Sequence, residues 1–179
     1  KYDAPPTMYK PSTLWPHFKA WATHIKATAE RLGPLGVRAN MVIVRPMRTL
    51  WRLGLAREAE VRGIYEQAMK LALHLQERGI LFQWVDDLDL NDARVAGKSV
   101  QIGKAKYPMI VHFAGTLDAE ANAALHKLKR NGARMLDHTE ANRLGGPIHS
   151  RNGAIRAVQS KDGSWFCFNV LKTREAFTF

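Results

Sequence analysis

Residues 106–138 read KYPMIVHFAGTLDAEANAALHKLKRNGARMLDH. The apolar run at residues 107–113 predicts a strand, and Asp118 after it predicts a helix N-cap. Four apolar side chains recur at helical spacing behind this cap: Ala121, Ala124, Leu125 and Leu128. Gly132 fits the left-handed position that ends such a helix, and residues 134–137 begin a second strand. This order indicates a crossover unit in a largely parallel sheet.

The same alternation continues toward the N-terminus. Residues 58–78 carry the clearest helical pattern, which Gly79 ends. The face of this helix that is expected to meet the core comprises Val61, Ile64, Tyr65, Ala68, Leu71, Ala72 and Leu75. Short apolar runs lie on either side of the helix at residues 39–44 and 80–85. Residues 47–56 are rich in Arg and Leu and predict a loop or a short helix over the sheet edge. We therefore expect an α/β fold with a largely parallel sheet.

The chain divides into three segments of different character. Residues 1–11 contain three prolines, which favour an extended linker. Residues 12–150 are expected to form the α/β domain, beginning with a helix that Ser12 caps and that ends near Gly33. Residues 151–179 are expected to form β strands that lead into, or pack from, a β-sandwich.

Two stretches predict antiparallel strands. Residues 94–106 alternate between polar and apolar side chains and are interrupted by Gly97 and Gly103, which indicates a set of small strands. A Lys-Asp-Gly turn at residues 161–163 separates two alternating segments, which is a strong β-hairpin signal. Residues 142–151, between these stretches, predict a loop.

The ends of the chain suggest a longer parent protein. The first residue is Lys1 rather than Met, and the alternating pattern of residues 175–179 stops at Phe179. A strand at this position needs a pairing partner, and the sequence offers few candidates. We therefore expect the chain to be an excised piece whose missing partner strand lies in the parent chain.

Composition argues against several classes of protein. A hydrophobic share of 46% and five Trp argue against disorder. No apolar run approaches the roughly 20 residues of a membrane-spanning helix, so we expect a soluble protein, cytoplasmic or secreted, with no membrane partner.

Cys167 is the single cysteine, which excludes an internal disulfide framework and disfavours a thiolate zinc site. Its alternating β segment suits a thiol that behaves as a small hydrophobic residue. We predict no metal and no cofactor.

The net charge of +11 raises the question of a polyanion partner. Residues 1–57 carry a net charge of +8, residues 58–97 carry −4, and residues 98–179 carry +7. The densest basic clusters are Arg45, Arg48, Arg52 and Arg57, and Lys127, Lys129 and Arg130. Neither cluster contains a recognisable nucleic-acid reading motif, so a solvated or interdomain surface is favoured. A basic nucleic-acid or polyanion-binding α/β module is the alternative.

Candidate ligand-facing residues follow the predicted core strands, because ligands of open α/β sheets bind beyond the carboxyl ends of the strands. Arg45 follows the first strand, and Asp86 and Asp87 follow the second. His112 lies in the third strand and His138 follows the fourth, so these two side chains could approach each other. A satisfied structural role remains the alternative for both histidines.

Two groups near this edge have competing interpretations. Asp86, Asp87 and Asp89 could hold a hard cation, or could cap the next turn with their side-chain oxygens. The Gly-Gly-Pro segment at residues 145–147 lacks the phosphate-cradling pattern of glycine-rich loops. The Gly-x-Ser-x-Gly nucleophile elbow is absent, and we predict no catalytic residue.

Three stretches carry a resemblance to a known family. Residues 14–46, LWPHFKAWATHIKATAERLGPLGVRANMVIVRP, resemble the helix that leaves the catalytic barrel of large glycoside hydrolases and the first strand of the next domain. Residues 82–136, from FQWVDDLDLN to NGARML, resemble that domain's second strand, acidic turn, small hairpin, third strand and helix. Residues 162–179, DGSWFCFNVLKTREAFTF, resemble the first strands of the β-sandwich that follows.

The chain is thus similar to the glutamine-amidotransferase-like, flavodoxin-like accessory domain of α-L-rhamnosidase-like enzymes and to the trimerisation domain of β-galactosidases. The resemblance implies a three-layer sheet with helices on both faces. It also implies a non-catalytic domain that packs on the catalytic barrel and β-sandwich of its parent chain, and that shapes the substrate cleft or a homo-oligomer contact. True amidotransferases carry a Cys elbow with His and Glu partners, which this chain lacks, so glutamine hydrolysis is not expected.

Carbohydrate is the ligand that the resemblance implies. We expect Arg45, Trp51 and Asp86 on a cleft-facing surface, because an exposed aromatic ring stacks on a sugar and charged neighbours bond its hydroxyls. Packing of Trp51 against another domain is the alternative. The full set of candidate residues is Arg45, Trp51, Asp86, Asp87, His112 and His138. A free-standing small enzyme is a third class, and it predicts turnover by this chain alone.

Overall fold

A computed structural model of the chain describes residues 15–32, 39–150, 155–160, 162–169 and 177–178. The described residues fall into two compact units, one with the N-terminal helix and the turn at Ser160–Ser164, the other with the remainder. In the first unit, helix α1 (Trp15–Leu32) confirms the predicted N-terminal helix. The expected linker at residues 1–11 and the expected cap Ser12 lie outside the described residues.

The second unit alternates strands and helices as the periodicity predicts. Two 3₁₀ turns, Leu55–Arg57 and Asp87–Asp92, connect some of its elements. In chain order the elements are β1 (Met41–Arg45), α2 (Met47–Leu53), α3 (Glu58–Glu77), β2 (Phe82–Asp86), β3 (Arg94–Ala96), β4 (Ser99–Ile102), β5 (Ala105–Tyr107), β6 (Ile110–His112), α4 (Ala119–Arg130), β7 (Met135–Asp137), α5 (His138–Ala141), β8 (His149–Ser150), β9 (Ile155–Gln159), β10 (Trp165–Asn169) and β11 (Phe177–Thr178).

A parallel sheet organises this unit and confirms the mixed α/β prediction. Among the described residues its strand order is β2-β1-β6-β7, and every neighbouring pair is parallel. The chain first adds β2 on one side of β1, then returns to the other side to add β6 and β7. The direction of sheet growth therefore reverses between β1 and β6.

Side chains of β1 alternate between two hydrophobic clusters, which explains its unbroken apolar sequence. Met41 and Ile43 belong to one cluster, together with residues of α3 that include Leu71. Val42 and Val44 belong to the other, together with residues of α4. Helices α3 and α4 thus bury their apolar faces against side chains that alternate along the same strand.

Both predicted ends of α4 are confirmed. The Asp118 carboxylate accepts a hydrogen bond of 2.8 Å from the backbone N–H of Ala121. At the other end Gly132 has φ of 93°, and the N–H of Ala133 donates to the carbonyl of Leu128 at 3.0 Å. This pattern satisfies carbonyls that the last helical turn leaves open.

Gly132 and Gly145 are a matched pair for testing this helix end. Among the described residues, neither has an atom within 4 Å of where a Cβ would lie, but only Gly132 has a positive φ. We expect Gly132→Ala to lower the free energy of unfolding by about 1 kcal/mol, because an L side chain is strained at this φ. Gly145→Ala should leave stability unchanged or slightly raised. Urea denaturation measures both, and equal losses would contradict this account of Gly132.

The third core strand is shorter than expected. Tyr107 ends β5 instead of opening the core strand, and β6 begins only at Ile110. Pro108 lies between them and has no N–H to donate to a ladder, which is a physical reason for the break. The predicted small strands are confirmed as the antiparallel set β3-β4-β5, with Gly97 and Gly103 at positive φ in the turns.

The predicted C-terminal hairpin is confirmed, because β9 and β10 pair antiparallel in five-residue register. Cys167 lies within β10, and its side chain is exposed. The expectation that the last strand lacks a partner in this chain is wrong. Phe177 pairs with Ser150 and Thr178 with His149, so part of the stretch expected to be a loop forms β8.

The Gly-Gly-Pro segment lies against the end of α3. A Cβ at Gly146 would be 2.0 Å from the carbonyl oxygen of Arg78, and Ile148 lies within 2.8 Å of where a Cβ of Gly79 would stand. Glycine is therefore required at 146 for a close approach of backbone to helix end. This packing explains the segment without any ligand.

Candidate functional site

The carboxyl ends of β1 and β2 bring two predicted residues together. Arg45 and Asp86 are register partners on adjacent parallel strands. The Arg45 guanidinium donates from Nη2 and Nε to the same Asp86 oxygen at 2.7 and 2.8 Å. Both side chains are partly exposed, so the pair contributes little to stability and mainly orients the two groups.

The acidic residues after β2 act as helix caps. The N–H of Asp86 donates to Asp89 Oδ2 at 3.0 Å, and the Asp86 side chain accepts in return from the backbone of the turn. This reciprocal capping box is the second of the two interpretations drawn from the sequence. Within the part of the chain that the structure describes, no group of three or more His, Cys, Asp or Glu could hold a metal ion.

Asp87 is fully buried beside the N-terminal turn of α2. Its two oxygens accept from the Arg48 N–H at 3.3 and 3.4 Å. Burial raises the pKa of this carboxyl above its ordinary value, although the Arg48 N–H and charge pull the pKa down. Arg48 also donates to Glu120 at 3.0 Å, so it links α2 to the start of α4.

The raised pKa of Asp87 gives a prediction with a definite sign. Because its pKa is raised on folding, the Asp87 carboxyl binds a proton more tightly in the folded state than in the unfolded state. Protonation of Asp87 therefore stabilises the folded state below the pKa of the unfolded chain. This stabilisation is lost as the pH rises through the pKa of the folded chain. We expect Asp87→Asn to raise the free energy of unfolding at pH 7, and this gain to shrink toward pH 4. Urea denaturation at both pH values measures it.

Asp92→Asn is the matched control, because Asp92 is exposed at the end of the same turn. It should leave the free energy of unfolding at pH 7 nearly unchanged, because an exposed surface position contributes little to stability. A loss of stability in Asp87→Asn at pH 7 would mean that the ionised carboxylate is itself the stabilising species, which contradicts the expected sign.

The two candidate histidines lie at the same sheet edge but make no hydrogen bond to each other in the described residues. Burial lowers the pKa of His112, and Lys129 and His138 lower it further, against the opposing effect of Asp137 and Glu140. The ring of His138 lies 5.1 Å from that of Phe113, centroid to centroid. Its Nδ1 is buried and has no hydrogen-bond partner among the described residues.

A small hollow lies beside Arg45, near the point where sheet growth reverses. It has a volume of about 170 Å³, and its walls include Tyr65, Trp84 and Phe113. Trp51 does not line this hollow; its side chain is 63% exposed on α2. The structure therefore places Arg45 beside aromatic rings other than the one that the sequence singled out.

Helix α3 carries an apolar stripe that is exposed at the surface, and two of its members, Tyr65 and Met69, border the Arg45 hollow. Its members are Tyr65, Met69 and Leu73, which are spaced four residues apart and are 51%, 58% and 47% exposed. The sequence placed Tyr65 on the core-facing side of the helix, and that placement is wrong. We call these three residues the α3 stripe.

Much of the first basic cluster is paired with acids. Arg45 pairs with Asp86, Arg48 with Glu120, and Arg57 with Glu60. The second cluster lies in the last turn of α4, where positive side chains are favoured by the helix dipole. These contacts supply structural reasons for much of the basic charge.

A further cavity, larger than the Arg45 hollow, runs along α4, and His112 is the one residue of its lining that belongs to the candidate set from the sequence. This groove has a volume of about 440 Å³ and lies between α4 and the ends of β6 and β7. Its polar lining comprises His112, Asn122, His126, Lys129, Asp137 and Glu140. The helical residues 122, 126 and 129 share one side of α4 by spacing, but the sequence does not reveal which strand ends that side meets.

Comparisons with protein-family models, curated proteins and solved structures give no significant match to this chain. Among the described residues, no helix has the length and apolar character needed to cross a membrane. The case for function therefore depends on the residues and their geometry.

Proposed function

We propose that this chain is a non-catalytic accessory domain of a carbohydrate-active hydrolase, and that its sheet belongs to a three-layer, flavodoxin-like fold. One observation carries the proposal: the carboxylates at the carboxyl edge of the sheet cap turns and helices. Asp86 and Asp89 cap a turn, Asp118 caps α4, and Asp137 caps α5. These carboxylates accept hydrogen bonds from the backbone at the starts of helices and turns, which is a structural role.

The strand order supports the fold assignment. The order second, first, third, fourth is that of the first four strands in doubly wound flavodoxin-like sheets. A shared fold is only an associational argument for function. The resemblance of residues 14–46, 82–136 and 162–179 to glycoside-hydrolase accessory domains supplies the functional half of the proposal.

The geometry after β6 supports a non-catalytic role. An amidotransferase needs a nucleophile at a strand-to-helix turn, and here Phe113, Ala114 and Gly115 follow the strand. A glycosidase needs two carboxyl groups about 5–10 Å apart on either side of a sugar. Asp137 accepts three hydrogen bonds at the start of α5, which suits a cap better than an acid or nucleophile.

The α3 stripe supports contact with another domain. Exposed apolar residues that are grouped on one helix face mark interaction sites more often than isolated ones do. Trp51 and Leu55 lie exposed on the preceding segments, at 63% and 94%. We propose that the catalytic barrel of the parent protein covers the α3 stripe. Packing of Trp51 against that neighbour is part of the same proposal.

The parent protein allows a direct test of this contact. The double variant Tyr65→Ser, Met69→Ser should speed release of the domain by limited trypsin digestion by at least about tenfold, because each buried side chain contributes on the order of 1.5–3 kcal/mol. Hydrolysis of aryl glycosides should weaken in parallel. Gln67→Ser, which changes an exposed residue of the same helix, is the control and should alter neither. Equal release rates in all proteins would contradict the contact.

The competing classes give different results. A free-standing enzyme predicts turnover by this chain alone, whereas we expect none with aryl glycosides or glutamine; activity that His112→Ala abolishes would overturn the proposal. A polyanion-binding module predicts tight, steeply salt-dependent binding to DNA, RNA or heparin, whereas we expect flat curves at low salt. The open reading frame should encode a barrel-sized segment upstream, and a start codon near Lys1 would contradict that.

A further inference from the structure

We propose that the groove along α4 binds an uncharged, polyhydroxylated ring, the chemical class of a neutral sugar. The inference deepens the proposed function and rests on it for the link to carbohydrate. It assigns direct ligand binding to a groove of which the sequence singled out only His112, and which is distinct from the Arg45 hollow.

The groove has the build of a small-molecule site. Its volume of about 440 Å³ is within the roughly 300–1,000 Å³ typical of ligand pockets. Leu125, Met135 and Leu136 supply apolar lining, and polar groups from α4 face polar groups from the strand ends across it. Such lining suits a ring with an apolar C–H face and a polar rim.

The charges of the lining select against anions. Lys129 contributes a positive charge, while Asp137 and Glu140 contribute two negative charges. Hydrogen bonds from Thr139 and Glu140 keep the pKa of Asp137 below its ordinary value, so it stays ionised. A phosphate would be repelled by the two carboxylates, which outnumber the single positive charge of Lys129. A neutral ligand avoids this penalty.

Four of these polar groups keep hydrogen-bonding capacity for hydroxyls. Among the described residues, the side chains of Lys129 and His126 make no hydrogen bond or ion pair, and Glu140 uses only Oε2, which accepts from the Asp137 N–H at 2.9 Å. The lowered pKa keeps the His112 ring neutral near pH 7, and a neutral imidazole both donates and accepts. A hydroxyl group does the same, so donors and acceptors match in kind.

Titration of the 179-residue chain with defined probes tests the site. We expect at least one of D-glucose, D-galactose, D-mannose and cellotriose to shift the NMR signals of His112 and His126, and inorganic phosphate and D-galacturonate to leave them in place. Lys129→Met should weaken sugar binding roughly three- to tenfold, the effect of one hydrogen bond. Lys127→Met, on the same exposed turn but outside the groove, should not.

Three outcomes would overturn the groove proposal. These are the absence of shifts with all four neutral sugars, stronger shifts with phosphate or galacturonate, and equal affinities of the Lys129→Met and wild-type chains. Because Lys129 and His126 are exposed, His126→Gln provides a second folded variant that should also bind more weakly. If the groove proposal fails, the predicted effect of the α3 stripe variants on release of the domain by trypsin still stands. Sugar binding in a chain whose parent encodes no hydrolase would refute the accessory role alone.

Discussion

Burial of β1 on both of its faces is the constraint on which the rest of this structure depends. Met41, Val42, Ile43 and Val44 are each at most 1% exposed. A strand of this kind needs a partner strand on each side and a helix over each set of side chains. The flanking strands β2 and β6, and the helices α3 and α4, meet these needs. Arg45, the first exposed residue of the strand, then marks where the core ends.

The polar groups beyond that end are largely used to connect elements. Arg45 ties β1 to β2 through Asp86, and Arg48 ties α2 to α4 through Glu120. If this edge were catalytic, such groups would point at a substrate, would lack partners within the protein and would have shifted pKa values. The pKa of Asp87 is raised, but both of its oxygens accept hydrogen bonds from the backbone of α2. The edge therefore stabilises the fold, and we assign recognition to the α3 stripe and the α4 groove.

Local sequence signals predicted the elements, whereas contacts between distant residues remained hidden. Asp118 and Gly132 marked the ends of α4 because cap chemistry acts within a few residues. The pairing of β11 with β8 joins segments more than 25 residues apart in very short strands, so no local pattern announces it. Helical periodicity gives the orientation of an apolar face, but it does not show what covers that face. Tyr65 belongs to the apolar face that periodicity predicts, but the structure leaves its side chain 51% exposed.

We propose that the α3 stripe is covered by a catalytic neighbour in the parent protein. Hydroxyl-radical footprinting, read by mass spectrometry, tests it without any substitution by comparing oxidation of Tyr65 and Met69 in this chain and in the full-length protein. We predict strong labelling of both residues in the isolated chain, where they are 51% and 58% exposed, and protection in the full-length protein. Equal labelling of Tyr65 and Met69 in the two proteins would contradict the account.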